Sequence, residues 1–248
     1  MTYRFLSVCF FLAVLALPRA AQAQTHDPGN TPLAIRGEVW IDIEPVYHDR
    51  FKSEVPLESF NTVRAEGRAI ALRQAAEEAA LYFSGMIYGW AFHYDIGERA
   101  RGIAENFYVF EPLGEINRED PRFSVTDVEY RELQLKIWAD YQLSDIQQKR
   151  MHTWRTGMIR NAQAVGYCPI RGISSASQWQ DMRKAALKDA ARFAVREMLR
   201  GSERNRPKEA LGLISLASFP RFYIDSGRLA VSARFRVQIN EIIPFAAY

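Results

Sequence analysis

The chain is poor in the residues that make covalent cross-links, closed metal sites and common catalytic motifs. It holds two cysteines and four histidines in 248 residues. It contains no phosphate-binding glycine loop, and H-E-x-x-H, C-x-x-C and G-x-S-x-G are absent. A zinc site would have to draw on carboxylates and scattered partners. These absences predict a protein without cofactor, metal or enzymatic activity.

Long apolar runs are also scarce, and the one present lies at the N-terminus. A basic start, an apolar run over residues 5–17 and an A-x-A pattern ending at Ala23 are typical of a secretory signal. The run is shorter than the roughly 20 residues that span a bilayer. We expect a signal peptide over 1–23 and a periplasmic product without a transmembrane segment. Cys9 lies within the apolar run, which disfavours a lipid anchor there.

Excess charge of either sign is missing from the predicted mature chain. Arg4 and Arg19 lie in the leader, which holds no acid, so 30 basic side chains remain against 29 acidic ones. This near balance gives no reason to expect a nucleic-acid partner. Cys168 is the only cysteine after the leader, which excludes an intramolecular disulfide. We expect Cys168 to be buried in a strand.

The second half of the chain repeats four blocks of the first half in the same order. The pairs are 71–76 with 186–191, 113–116 with 211–214, 121–123 with 220–222, and 133–146 with 229–242. Such recurrence indicates one structural unit used twice. Nothing catalytic recurs with it, which favours a scaffold or binding protein over an enzyme.

Each unit is predicted to be a helix packed on a short antiparallel sheet, giving an α+β fold of two tandem repeats. Alternation predicts strands over 38–44 and 162–168. Apolar stripes predict helices over 61–86 and 177–200. The last strand of each unit buries the same face. Those faces are Leu133, Leu135, Ile137, Ala139, Tyr141 and Leu143, and Leu229, Val231, Ala233, Phe235, Val237 and Ile239.

These elements predict the organisation of the whole chain. A tail over 24–36 precedes a first repeat over 37–146, a polar linker or exposed helix over 147–160, and a second repeat over 161–248. In the first helix, Glu78 is predicted to face outward, and one apolar stripe is predicted to face inward: Ala65, Ala69, Leu72, Ala76, Ala79, Phe83 and Met86.

The first repeat carries about 17 additional residues within 85–110, by the spacing of the shared blocks. Insertions of this kind often carry function, and aromatic side chains can anchor a partner. The alternative, which we favour for most of them, is that they cover the sheet or the interface between the repeats. The candidate partner-binding residues are Tyr88, Trp90, Phe92, Tyr94, Phe107 and Tyr108.

A few polar residues allow weaker hypotheses. His48-Asp49 and His93-Tyr94-Asp95 are candidates for metal binding or base catalysis, although a solvated loop or packed ring is favoured. Asp42 and Glu44 share a strand face, as a hydrolase pair could, but acids on a wet face are ordinary. The recurring Pro121-Arg122-Phe123 and Pro220-Arg221-Phe222 indicate repeated architecture more than a binding signature.

The chain resembles a known family in one stretch. The strand Gly37-Glu38-Val39-Trp40-Ile41 precedes a helix of the form Arg64-x-x-x-Arg68-Ala69-Ile70-Ala71-Leu72-x-x-Ala75, followed by Gly114-x-Ile116 and an alternating strand. This pattern resembles the N-terminal domain of flagellar assembly protein T and related small outer-membrane lipoprotein domains. It covers roughly 37–143 and, more faintly, the second copy. The resemblance implies a non-enzymatic module in a periplasmic ring around the flagellar motor.

The sequence therefore favours a non-catalytic periplasmic structural or assembly protein that acts through protein–protein contacts. We expect protein partners in the periplasm or outer membrane, with a homo-oligomer as one possibility. A binding module for a glycan, lipid or small ligand is the alternative, and an envelope hydrolase is disfavoured.

Overall fold

The structure is a computed structural model that describes residues 33–43, 60–97, 102, 104–131, 134–156, 158–170, 176–200 and 207–244. The predicted leader, most of the predicted tail, Glu44, His48 and Asp49 lie outside the described residues. Within the described residues, no helix is both long and apolar enough to cross a membrane.

Strands and helices alternate along the chain. The strands are β1 (Ala34–Asp42), β2 (Trp90–Asp95), β3 (Asn106–Pro112), β4 (Phe123–Arg131), β5 (Gln134–Gln142), β6 (Arg160–Pro169), β7 (Pro207–Leu216), β8 (Arg221–Asp225) and β9 (Arg228–Pro244). The helices are α1 (Phe60–Ile87), α2 (Asp145–Thr153) and α3 (Ala176–Arg200).

The described strands form two antiparallel sheets. The smaller sheet has the order β1-β5-β4, and the larger has the order β3-β2-β7-β9-β6. Strand β8 pairs with β9 alone, on the same edge of β9 as β7. Helix α1 packs against β1 and β5, and α3 packs against β6 and β9. The fold is therefore mixed α+β with antiparallel sheets, as predicted.

The alternation of β5 and β9 places their apolar side chains in the core. Leu135, Ile137, Ala139 and Tyr141 are fully buried, and Phe235 on β9 is buried as well. The predicted inward faces of both strands are thus confirmed for the described residues, with Ile239 partly buried. Leu133 lies outside them. A shift of one residue would expose every one of these side chains, so their burial fixes the register.

The two long helices match their predicted bounds to within one residue. The predicted stripe of α1 is confirmed at Ala76, Ala79 and Phe83, which are buried, and is wrong at its N-terminal end. Ala65 and Ala69 are exposed, and Glu78 is buried. A 28-residue helix is about 42 Å long, whereas a nine-residue strand such as β1 spans about 30 Å. The helix is therefore longer than the strands it packs on, so they do not cover all of it.

The aromatic insertion contributes to the larger sheet instead of the smaller one. Strand β2 pairs with β3 on one side and with β7 on the other, from Trp90 opposite Ile214 to Asp95 opposite Glu209. Backbone hydrogen bonds thus join the two predicted repeats. The described residues from 33 onward form one compact unit.

Other predicted elements shift in detail. The first strand covers Ala34–Asp42, whereas the sequence predicted 38–44. Helix α2 begins two residues before the predicted linker over 147–160 and covers its first seven residues, and its N-terminus is capped by Ser144 and Gln147. The indole of Trp154, at the end of α2, donates to the carbonyl of Ile87 (3.0 Å), which ties this helix to α1.

Cys168, which was predicted to be buried in a strand, lies in β6 but is only partly buried, and it packs against the core.

The first Pro-Arg-Phe motif has a structural role. The Arg122 side chain donates to Asp120 through Nε (3.1 Å) and Nη2 (2.7 Å). The Tyr141 hydroxyl donates to the same carboxylate (3.0 Å). Hydrogen bonds from Arg122, and then from Tyr141, outweigh partial burial and lower the pKa of Asp120 to about 2.

This network predicts a pH-dependent loss of stability. Because the pKa of Asp120 is lowered on folding from 3.8 to about 2, its contribution is present above about pH 4 and disappears as pH falls toward 2. We expect Asp120→Asn to lower the free energy of unfolding at pH 7. The difference from wild type should shrink between about pH 4.5 and pH 2 in urea denaturation. Glu115→Gln, at an exposed carboxylate, is the control. A difference that stays constant over this pH range contradicts the assignment.

Candidate docking cleft

A cleft of about 680 Å³ lies between the unpaired edges of β1 and β8. One wall is formed by residues 36–40 and 42 of β1, and the other by residues 218–224, which lead into β8 and along it. Among the described strands, β1 pairs only with β5, and β8 pairs only with β9. The cleft is therefore bounded by two strand edges.

Aromatic rings form the floor of the cleft. Phe219 lies directly under Gly37, where a β-carbon on the glycine would collide with the ring. The Tyr82 ring from α1 meets Phe219 edge-on at 5.3 Å and lies parallel to Phe222 at 6.5 Å between centroids. Gly37 is required here because it lets β1 approach these rings closely.

A buried ion pair holds the walls in place. Arg183 of α3 donates to both carboxylate oxygens of Glu78 on α1, at 2.8 and 3.0 Å from Nε. The two side chains are only 4% and 6% exposed. Glu78 also accepts from the Tyr82 hydroxyl (2.6 Å). Burial and the Glu78 carboxylate raise the pKa of Tyr82, which keeps the phenol protonated as a donor.

The same guanidinium reaches both sides of the cleft. Arg183 Nη2 donates to the backbone carbonyl of Trp40 in β1 (3.0 Å). Its central carbon lies 3.8 Å from the ring centroid of Phe222 in β8. Gly37 faces Phe219, and Trp40 is joined through Arg183 to Phe222, so β1 and β8 run in the same direction across the cleft.

The rim of the cleft is rich in arginine. Arg36 lies over the Trp138 ring (4.9 Å) and pairs with Asp140 (3.3 Å). Arg221 and Arg234 are exposed on the β8–β9 side. In the described part of the chain, neither of these two has an ion-pair partner. The second Pro-Arg-Phe motif thus presents its arginine to the cleft, whereas the first binds its own aspartate.

The aromatic candidates from the insertion do not line this cleft. Trp90, Phe92, Tyr94 and Phe107 are buried in the core. Trp90 stacks on Phe110 at 4.9 Å, and Phe92 stacks on Phe107 at 5.8 Å. Four of the six rings therefore pack within the protein, which is the interpretation that the sequence favoured for them.

The other two candidates from the insertion are Tyr88 and Tyr108. Tyr88 is partly buried, and its hydroxyl accepts a hydrogen bond from Gln147 (2.8 Å). The side chain of Tyr108 lies outside the described residues. Asp42 lines the cleft, but Glu44, its predicted hydrolase partner, is also outside them.

One cluster carries groups of the kind that bind metals. His93 Nε2 lies 3.6 Å from Asp95 and 3.3 Å from Glu209, on the neighbouring strand β7. An imidazole with two carboxylates can ligate Zn²⁺ or Mn²⁺. Lys208 already pairs with Glu209 (2.9 Å) and contributes most to lowering the pKa of that carboxyl, ahead of His93. Among the described residues, this cluster is a polar network that links β2 to β7.

The ion pair that holds the cleft walls was missed because its two charged residues lie in phase with apolar stripes. Trp179, Arg183, Ala186 and Ala190 recur at helical spacing and are all buried. A charged residue in such a stripe indicates that it has a buried partner of opposite charge. Glu78, four residues before Tyr82 in α1, is an acid in the same kind of position.

The ion pair predicts a large and specific loss of stability. Arg183→Ala leaves Glu78 buried without its partner, so we expect a loss of about 3–5 kcal/mol in the free energy of unfolding, measured by urea denaturation. Replacing both partners, in Glu78→Leu with Arg183→Met, should regain most of it. Arg200→Ala is the matched control, since its pair with Glu197 on the same helix is exposed. Equal effects of Arg183→Ala and Arg200→Ala would contradict this role.

Comparison with known proteins identifies a family. The model of an uncharacterized family matches residues 23–245. An uncharacterized protein of Treponema pallidum (strain Nichols) is 24% identical over 242 residues, covering 95% of this chain and 92% of the relative. No solved structure matches the chain. With most of its length matched, the chain belongs to this uncharacterized family.

Proposed function

We propose that the protein is a non-catalytic periplasmic assembly protein, and that it binds an extended segment of a protein partner in the cleft between β1 and β8. The observation that carries the proposal is the pair of open strand edges facing one cleft. An exposed strand edge is a ready template for another strand, and extended peptides commonly bind by adding to such an edge.

The backbone of β1 offers hydrogen bonds to such a segment. The carbonyl of Trp40 points away from β5, since it accepts from Arg183. In an antiparallel strand, the N–H and C=O of one residue point the same way, and alternate residues agree. Arg36 and Glu38 therefore also point their backbone groups into the cleft. No described residue occupies the edge at these two positions, whereas Arg183 occupies the Trp40 carbonyl.

We also propose that the two halves derive from one duplicated unit. In support, β1-β5-β4 and β6-β9-β8 have the same strand order, and each has a helix against its first two strands. Under this proposal the cleft lies where one edge strand of each copy meets the other. A duplicated scaffold with a binding groove at its junction suits an envelope assembly role, including the ring suggested by the family resemblance.

The test is cross-linking in the native host with a proline block at the edge. A photoreactive amino acid replaces Tyr223, which is exposed and lines the cleft. We expect one discrete adduct, and mass spectrometry should map it to a single segment of a partner. Glu38→Pro should abolish the adduct because it removes an N–H that points into the cleft and leaves the β1–β5 ladder intact.

Two controls separate this result from adventitious contact. Glu38→Ala removes the same side chain but keeps the N–H, so the adduct should persist. The same photoreactive residue at Ile146, exposed on α2, should give no such adduct. An adduct that survives Glu38→Pro, or that joins only copies of this chain, contradicts the proposal.

A further inference from the structure

We infer that the segment bound in the cleft is acidic, and that Arg221 and Arg234 recognise its carboxylates. This inference rests on the proposed function and adds the chemistry of the partner.

Two of the four arginines that line the cleft are neutralised within the protein. Arg183 is paired with Glu78, and Arg36 is paired with Asp140. Of the acids, Glu38 is paired with Lys136 (3.3 Å). Asp42 accepts a hydrogen bond from the Gln134 amide (3.2 Å).

Arg221 and Arg234 are left to face a ligand. They lie on adjacent strands, because Arg221 is opposite Ser232 and Arg234 is two residues beyond it. Residues two apart on a strand share a face, so the two guanidinium groups point to the same side of the sheet. Both are exposed, and no carboxylate among the described residues pairs with either.

A guanidinium binds carboxylates through paired hydrogen bonds, with a directionality that a lysine ammonium lacks. Alternate residues of an added strand project to the same side of the sheet. Acidic residues two apart in the partner would therefore match the two arginines. The open backbone at Arg36 and Glu38 would fix the position of the segment along β1.

Arg236 extends the positive charge along the same strand. Burial, and then repulsion by Arg155, lower the pKa of Arg236. The side chain also donates to the carbonyl of Leu216 (3.3 Å). Arg236 does not line the cleft, but it lies two residues beyond Arg234 and so adds positive charge to the same face of the sheet.

The experiment uses defined peptides with the purified full chain. The probes are fluorescein-labelled heptapeptides, Thr-Val-Glu-Val-Glu-Val-Thr and its counterpart with lysine in place of glutamate, titrated by anisotropy. We expect the glutamate peptide to bind at least about tenfold more tightly, with an affinity that falls as salt rises. Arg221→Glu with Arg234→Glu should reverse the preference. Arg73→Glu with Lys149→Glu, an equal charge change at exposed sites away from the cleft, should leave it unchanged.

The outcomes separate this inference from the function on which it rests. If the peptides bind equally, or the lysine peptide binds better, while Glu38→Pro still abolishes the cellular adduct, the acidic preference is wrong and the docking function stands. If Glu38→Pro leaves the adduct intact, the docking function itself fails. If inorganic phosphate or vesicles of anionic phospholipid compete with the glutamate peptide and Glu38→Pro does not weaken its binding, the arginines form an anion site and the inference is overturned.

Discussion

The ion pair between Glu78 and Arg183 is the constraint on which the arrangement of the molecule depends. It joins the helix on the smaller sheet to the helix on the larger sheet, and both charges are almost fully buried. A buried charge costs several kcal/mol unless it is paired and hydrogen-bonded. Separating the two helices would break the pair and leave each charge without its partner. The pair therefore fixes one relative position of the two sheets.

The cleft follows from this arrangement. With the helices held together, the edges of β1 and β8 face each other, and Arg183 and Phe219 fill only part of the space between them. Proteins usually protect open strand edges with charges, proline or a covering loop. Here Pro220 and several charged residues lie at the edges, yet the backbone at Arg36 and Glu38 is left open. A specific partner can use this opening where indiscriminate pairing is discouraged.

Sequence patterns predicted those parts of the fold that depend on local periodicity. The helix bounds and the buried faces of β5 and β9 follow from spacing alone, because burial forces apolar residues into phase. The predicted alignment of β5 with β9 is displaced from the one that their hairpins give. The hairpins close at Arg131–Gln134 and at Asp225–Arg228, which aligns Leu229 with Leu135 and not with Leu133. The shift is two residues, so the buried face is unchanged.

The cleft could not be predicted in this way because it depends on distant contacts. No local pattern pairs β2 with β7, or Glu78 with Arg183, 105 residues apart. The recurrence of Pro-Arg-Phe was visible, but its two copies diverged in role. Arg122 has an aspartate two residues before it. The residue two before Arg221 is Phe219, and the nearest acid in the sequence is Asp225. This local difference in sequence accompanies the difference in role between the two arginines.

The joining of β2 to β7 also bears on how the chain reaches its native state. His93 and Glu209 meet across this pairing although 116 residues separate them. Until β7 has formed, the β2–β3 hairpin has no neighbour on that side, so its apolar rings remain accessible to solvent or to other chains. Pairings over such a span form slowly, since a long loop must close before they become favourable. A partly folded form should therefore be the species most exposed to aggregation, and a folding helper that shields the hairpin would act at that stage.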